Sequence, residues 1–216
     1  MTAKTLFMTR SVLLLALALS TGFLRADETN RYQGSTWDLL DSKVALSAAG
    51  EISTTKYPDC DEATVDKKMV RVYRADGTGE AQDESYVKVL TEKGKRNNRT
   101  VALSFMLPYT TVQVPKLEVI KPNGTVVPVD IAANSKEMID DSQMSMNIYD
   151  PNSKILQVNI PQLDVGDIVH SVTRTTTRRS IIPGEFADEN IFEGQGYIRH
   201  VTYEVHSPVD KPLKRV

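Results

Sequence analysis

Residues Ile155–Thr177, with the sequence ILQVNIPQLDVGDIVHSVTRTTT, decide the fold because they form two strand patterns around one corner. In Ile155–Ile160 and again in Ile168–Thr177, β-branched and apolar residues alternate with polar ones, which is the period of a half-buried strand. Pro161 ends the first strand because it has no backbone donor. Gly166-Asp167 predicts a turn that a side chain at position 166 would hinder. The stretch therefore indicates a rigid connection inside a β-rich domain.

The sequence before this corner predicts at least five further strands, separated by turn residues. Asp76-Gly77 predicts a hairpin turn, Lys93-Gly94 predicts a second turn, and Pro122-Asn123-Gly124 predicts a third, tight one. These turns make Gly77, Gly94 and Gly124 structural positions, together with Pro161, Gly166 and Asp167 of the corner. Between Ser135 and Asp150 the pattern leaves a short helix or an edge loop open.

Two strands are expected after the corner, a short one over Phe186–Phe192 and a longer one over Tyr197–His206. In the longer strand, Tyr197, Val201, Tyr203 and Val205 share one face, which is expected to be the core side. Helical period occurs near the other end of the chain, from Trp37 to about Ala49, with Ser35 or Thr36 as the cap. The predicted fold class is all-β, an antiparallel β-sandwich with an N-terminal amphipathic helix.

The N-terminal sequence predicts export. Two basic residues precede an apolar run that extends at most from Val12 to Leu24, or 13 residues, which is shorter than the roughly 20 needed to span a bilayer. A signal peptide over 1–26 is therefore favoured over a membrane anchor, and no membrane span is expected after cleavage. Residues 27–56 are then a polar N-terminus and the helix, and 57–216 form the β-sandwich. The expected location is periplasmic or extracellular.

Charge and cysteine content exclude several function classes. The chain has a formal charge of −2, and without its basic leader it has 23 basic against 28 acidic residues, which makes nucleic acid a poor partner. Its single cysteine, Cys60, cannot form an intramolecular disulfide. Because Asp59 and Asp61 flank Cys60, we interpret it as a small packing residue rather than a nucleophile.

Histidine offers the remaining candidates for chemistry. His200, Glu204 and His206 resemble a metal-ligand set, but on one strand Glu204 and His206 would lie about 13 and 20 Å from His200, too far to share an ion. His170 lacks an orienting neighbour that the sequence identifies. No Gly-rich phosphate loop, Gly-x-Ser-x-Gly elbow or pair of carboxylates at a catalytic spacing occurs, so no cofactor is expected.

An ordered set of turn motifs carries a family resemblance. It comprises Tyr57-Pro58-Asp59, YRADG at 73–77, KVLTEKGKR at 88–96, VIKPNGT at 119–125 and NIPQLDVGDIV at 159–169. In this order they resemble the bacterial domain of unknown function that stands directly before a transglutaminase-like domain, and they cover about three quarters of the chain. One departure is His170-Ser171, where the family often has an acidic residue and then an aromatic one.

The resemblance implies a non-catalytic β-sandwich of an exported bacterial protein, with any catalysis in a downstream papain-like domain that uses Cys, His and Asp. The expected partner is that domain or a protein, and a polysaccharide or protein ligand is possible. The alternative is a free-standing envelope or extracellular domain that binds polysaccharide or protein. A hydrolase that uses Cys60 and a histidine ranks third.

Overall fold

The structure is a computed structural model that describes residues 37–142, 149–192 and 196–214. The predicted signal peptide at 1–26 and the predicted caps Ser35 and Thr36 lie outside the described residues. Two compact units divide the chain, residues 1–38 and residues 39–216, and the described helices and strands lie in the second. No helix in the described ranges combines the length and the apolar character that crossing a bilayer requires.

The described helices and strands follow one another in an order dominated by strands. The helices are α1 (Ser42–Gly50), α2 (Glu92–Asn97) and α3 (Ile131–Asn134). The strands are β1 (Glu62–Tyr73), β2 (Gly79–Val89), β3 (Thr100–Met106), β4 (Thr110–Ile120), β5 (Val126–Pro128), β6 (Ser135–Ile139), β7 (Ser153–Asn159), β8 (Ile168–Thr177), β9 (Tyr197–Ile198) and β10 (Val201–His206).

These strands form two sheets, which confirms the all-β prediction. The large sheet has the order β10-β1-β2-β8-β4-β5, with β9 also paired to β1, and the small sheet has the order β3-β7-β6. The pairs are antiparallel except that β9 and β10 run parallel to β1. The architecture is therefore sandwich-like, with one mixed sheet and one antiparallel sheet.

The two faces of the large sheet are covered by different elements. On the helix face, Tyr86 of β2 and Ile168 of β8 join one buried cluster with Ala45 and Ala49 of α1. On the small-sheet face, buried residues of β2, β4 and β8, including Val89, pack in a second cluster with β7 of the small sheet. Because side chains alternate along a strand, neighbouring residues of β2 and β8 belong to different cores.

The predicted corner connects the two sheets. It leads from β7 in the small sheet to β8 in the large one, and Leu163 within it is buried in the second cluster. Asp167 is 1% exposed, and its Oδ2 accepts hydrogen bonds from Lys121 Nζ and from the Asp164 N–H, both at 2.7 Å. The corner is rigid because a buried carboxylate joins its own backbone to a lysine of the chain after β4.

Gly166→Val is expected to destabilise this corner by about 2–3 kcal/mol. Gly166 has a φ of +94°, which a β-branched residue rarely adopts, and a Cβ there would lie 3.4 Å from Cγ of Pro122. Denaturant unfolding of the variant and of Cys60→Ser, which is expected to fold normally, measures the difference. Equal unfolding midpoints for Gly166→Val and the parent protein would contradict the assignment of Gly166 to a turn with positive φ.

The predicted N-terminal helix is present, but it begins later than predicted. Asp41 caps α1 because its Oδ1 accepts the Lys43 N–H at 2.8 Å. The Leu40 N–H instead donates to Glu84 Oε2 at 2.7 Å, so the chain before Asp41 is not helical. The residues that α1 buries are Ala45, Ala48 and Ala49, whereas the longer Val44 side chain is exposed.

One turn prediction and one strand prediction are also corrected. The Lys93-Gly94 segment lies in helix α2 rather than in a turn between paired strands, because Oγ1 of Thr91 caps the helix and the next strand joins the other sheet. Phe186–Phe192 is not a strand, since side-chain contacts, not ladder bonds, hold it to the large sheet. For residues 135–150 the sequence left a short helix or an edge loop as alternatives. The structure shows that this stretch begins with strand β6, and residues 143–148 lie outside the described residues.

The predicted strand Tyr197–His206 is divided into β9 and β10. Its backbone departs from the ladder at Arg199 and His200, whose N–H and C=O groups bond to Thr64 and Lys67 beside an irregularity in β1. Both faces of β10 are half-buried, so the predicted core side is no more buried than the opposite one. The reason is that β10 lies at an edge of the sheet.

Candidate functional site

The predicted structural glycines lie where backbone geometry restricts them, although for different reasons. Gly77 and Gly124 have φ values of +82° and +85° in turns. Gly94 lies in α2, where a Cβ would clash with the backbone oxygen of Asp61. A close approach of two backbones therefore requires Gly94, whereas the sequence indicated a turn.

The structure does not bring Cys60 into a catalytic arrangement in the described part of the chain. Cys60 is half-buried two residues before β1, packed against the α1 cluster, and its N–H donates to the Tyr57 carbonyl at 3.3 Å. Its neighbour Asp61 accepts hydrogen bonds from Lys93 Nζ and Thr91 Oγ1, which lower the pKa of the Asp61 carboxyl.

Of the three residues that resembled a ligand set, His200 has a different partner from Glu204 and His206. His200 Nδ1 lies 2.8 Å from Oδ1 of the buried Asp66 on β1. Glu204 and His206 lie on β10, with 3.7 Å between Oε2 and Nε2. Within the described ranges, no group of three or more His, Cys, Asp or Glu residues is placed to hold a metal ion.

His170 is the histidine that the fold surrounds with carboxylates. Its Nε2 lies 2.8 Å from Glu84 Oε1 on β2, and its Nδ1 lies 2.7 Å from Glu118 Oε1 on β4. His170 and Glu84 are each 1% exposed, and the His170 ring stacks on Tyr86 with 4.0 Å between ring centroids. We call these residues, Glu84, His170 and Glu118, the buried triplet.

The two nitrogen–oxygen contacts of His170 in the buried triplet require two hydrogen atoms, because each contact is a hydrogen bond that needs one. Either an imidazolium donates to both carboxylates, or a neutral ring donates to one and accepts from a protonated Glu. Lys116 Nζ also lies 3.1 Å from Glu118 Oε1 and offsets negative charge. Both ring nitrogens are thus occupied, and proton exchange with a ligand would break a buried contact.

Sequence reasoning missed the partners of His170, although one signal was present. Glu84 and Tyr86 alternate with Ser85 and Val87 in β2, so a carboxylate shares a face with a large buried ring. A charged residue on a buried face needs a partner, and His170 is directly opposite Tyr86 in the register of β8. Only the pairing of β2 with β8 reveals this.

A second polar cluster lines a groove of about 280 Å³ on the small-sheet face of the large sheet. We call it the Arg71 groove, and six of the residues that line it are Arg71, Tyr73, Asp83, Thr173, Thr175 and Asp188. Asp83 and the two threonines come from the central strands β2 and β8, and Asp188 comes from the segment after β8. The groove was not identified from the sequence because its residues come from distant segments, with Arg71 and Asp188 separated by 117 positions.

Arg71 holds the two sides of the groove together. Its Nη1 donates to Asp83 Oδ1 at 2.5 Å, and its Nε donates to Asp188 Oδ2 at 2.8 Å. Tyr203 of β10 donates its hydroxyl to the same Asp188 oxygen at 2.7 Å, and Tyr73 stacks on Phe186 with 4.1 Å between centroids. Contacts of a guanidinium, a phenol and an aromatic ring therefore attach the 186–188 segment to the sheet.

Alkaline pH is expected to destabilise this attachment. Burial, followed by the nearby Asp188 carboxylate, raises the pKa of Tyr73 to about 12, and burial with the hydrogen bond to Asp188 raises the pKa of Tyr203 to about 12. Unfolded tyrosine titrates near ~10. Between these two values the folded chain binds more protons than the unfolded chain, so its stability falls as pH rises.

Phenolate absorbance, together with the unfolding midpoint at each pH, measures this effect. Tyr73→Phe and Tyr203→Phe should each remove one of the late-titrating groups and flatten the loss of stability above pH ~10. Titration of all tyrosines of the folded parent near pH ~10 would contradict the burial of these two rings.

The comparisons with known proteins concern both fold and family. The family model described as "Domain of Unknown Function with solved-structure structure (DUF3857)" matches residues 75–215. The chain belongs to the DUF3857 family. The match includes β2 to β10, and therefore the buried triplet and most of the groove residues. Comparison with curated proteins finds no match for this DUF3857 chain.

Comparison with solved structures also finds chains similar to this DUF3857 chain. A "putative protease" from Parabacteroides distasonis matches with a TM-score of 0.59 and 12% identity, over 70% of this chain and 30% of that one. A CBM3a-L domain of the Clostridium thermocellum scaffoldin matches with a TM-score of 0.31 and 15% identity, over 56% and 69% of the two chains. The DUF3857 chain thus spans under a third of the Parabacteroides protein, and the likeness is one of fold.

Proposed function

We propose that this DUF3857 chain is a non-catalytic binding module that accompanies a transglutaminase-like domain in an exported bacterial protein. The observation that carries the proposal is the contrast between its two polar clusters. Both nitrogens of the buried His170 are occupied by carboxylates, whereas the Arg71 groove is open and lined by hydroxyl and carboxylate groups. The first arrangement suits a satisfied core, and the second suits reversible binding.

The accompanying domain is supported by two further observations. The ordered motifs from Tyr57-Pro58-Asp59 to the NIPQLDVGDIV stretch resemble the family that precedes transglutaminase-like domains. The same fold also forms 30% of the Parabacteroides chain, so it occurs as one part of a larger protein. A module of this kind positions or shields the catalytic domain, or binds a polymer or protein for it.

The first experiment reads the coding DNA past the codon for Val216. An open frame that continues into a domain with Cys, His and Asp is the expected result. A stop at that point would contradict the arrangement and favour the alternative, a free-standing envelope or extracellular domain that binds polysaccharide or protein.

The second experiment tests the non-catalytic role in the full protein. Thiol-dependent transamidation and peptide hydrolysis are assayed in the parent, in Cys60→Ser and in a variant that lacks the downstream cysteine. The activity is expected to survive in Cys60→Ser and to disappear in the downstream variant. Loss of activity in Cys60→Ser with retained folding would overturn the proposal and establish the hydrolase alternative.

A further inference from the structure

We propose that the Arg71 groove binds a neutral oligosaccharide. This inference rests on the binding role proposed above and adds the chemical class of the ligand and its location. It does not depend on the transglutaminase-like domain. Four features of the groove support it, namely its position on a sheet face, its open hydroxyl groups, its charge and its aromatic wall.

The strands beneath the groove can offer a ligand only side chains, because they are paired on both sides. β1 pairs with β2 and β10, β2 pairs with β1 and β8, and β8 pairs with β2 and β4. An extended peptide that adds to a sheet gains its main affinity from unpaired backbone groups at an edge. A ligand recognised through side-chain hydrogen bonds fits this position better.

Hydroxyl groups line the floor of the groove in a row. Thr173 and Thr175 both face the groove from β8, about 7 Å apart because they are two residues apart on one strand. Within the described ranges, neither hydroxyl has a hydrogen-bond partner, whereas the next residue on this face, Ser171, pairs with Ser85 at 3.0 Å. Each free hydroxyl can donate one hydrogen bond and accept others, as sugar hydroxyls require.

The charge of the groove disfavours ionic ligands of negative sign. Asp83 and Asp188 both contact Arg71, so two carboxylates surround one guanidinium. The Asp83 side chain is 38% exposed and keeps oxygen lone pairs toward solvent. A carboxylate and a guanidinium together accept from and donate to vicinal hydroxyls without attracting an anion. A neutral polyhydroxy chain is therefore the complementary ligand.

The size and the aromatic wall agree with this class. A volume of about 280 Å³ is at the small end of ligand sites, so the groove holds a short part of a chain rather than a large molecule. Tyr73, one face of whose ring stacks on Phe186, lines the groove and places aromatic surface beside polar groups, which suits the apolar CH groups and the hydroxyl groups of a sugar ring.

The test titrates the full exported chain with cellohexaose, chitohexaose and maltohexaose while amide NMR shifts are recorded. At least one is expected to bind at millimolar concentration or below and to shift residues 173–175, 81–83 and 187–188. Thr175→Val, which removes one hydroxyl at nearly constant shape, is expected to weaken binding by about threefold to tenfold. Thr176→Val is the matched control because Thr176 points to the helix face, and it should leave affinity unchanged.

Three outcomes would overturn the inference. If none of the three oligosaccharides binds, the groove does not recognise a neutral oligosaccharide. If trilysine binds more tightly than any of the sugars, the ligand class is a cationic peptide instead. Equal effects of Thr175→Val and Thr176→Val on affinity would show that the ligand does not bind in the groove, because of these two residues only Thr175 faces the groove from β8. None of these results depends on the reading frame beyond Val216. The experiments can therefore contradict the oligosaccharide site without contradicting the proposed transglutaminase-like domain, and the reverse.

Discussion

His170→Leu is expected to lower the free energy of unfolding by about 3–5 kcal/mol at neutral pH, the range for removal of one partner from a buried ion pair. The variant removes the contacts of His170 with both carboxylates, so Oε1 of the buried Glu84 loses its partner, whereas Glu118 keeps Lys116. Glu84 is 1% exposed, so water cannot replace the lost contact without opening the core. Denaturant unfolding followed by circular dichroism measures the change.

A double variant separates charge from packing in this prediction. Glu84→Gln in the His170→Leu background removes the uncompensated negative charge and keeps an oxygen that can accept the Leu40 N–H. It is expected to recover part of the lost stability, because a neutral amide costs less to bury than a carboxylate. A loss below about 1 kcal/mol in His170→Leu would contradict the burial of the triplet.

Gly94→Ala is expected to cost about 3 kcal/mol, which is the upper end of the usual cost of overpacking. A Cβ at this position would clash with the Asp61 carbonyl oxygen. That oxygen already accepts the N–H groups of Leu90 and Thr91 at 2.9 and 3.1 Å, so it cannot move without loss of both bonds. The methyl group must therefore displace α2 from the start of β1.

Gly50→Ala is the matched control for the glycine prediction. A Cβ at Gly50 would meet nothing within 4 Å, and Gly50 ends helix α1. Alanine there is expected to be neutral or to stabilise by up to about 1 kcal/mol because it lowers the entropy of the unfolded chain. Thermal unfolding of both variants gives the comparison, and equal melting temperatures would show that α2 does not approach Asp61 as described.

Local patterns predicted the elements whose residues interact with near neighbours. The alternation from Ile168 to Thr177 marks β8 to the residue, and the turn at Asp76-Gly77 joins β1 to β2 as expected. The error at Lys93-Gly94 has a physical cause. Glycine is equally suited to a turn and to a close backbone approach, and which one applies depends on Asp61, more than 30 positions away in the sequence.

The candidate sites were less predictable because they are assembled across strands. His170 and Cys60 were recognised as residues with chemical capacity, yet neither sequence environment revealed a partner. Glu84 and Glu118 become neighbours of His170 only when β8 lies between β2 and β4. The groove likewise needs Arg71 of β1 beside β2 and the 186–188 segment, a strand order that no local pattern encodes.

The sequence by itself determined that this protein is a β-rich chain, where its main turns lie, and which family it resembles. Those properties depend on side-chain period and on backbone preferences of a few residues, which act over short distances. Only the tertiary structure decided that β7 and β8 belong to different sheets, that β10 runs parallel to β1, and that His170 is enclosed by two carboxylates. These outcomes depend on which distant strands pair with each other. That pairing is decided by the whole fold, because every strand must bury its apolar side chains and satisfy its hydrogen-bonding groups at the same time.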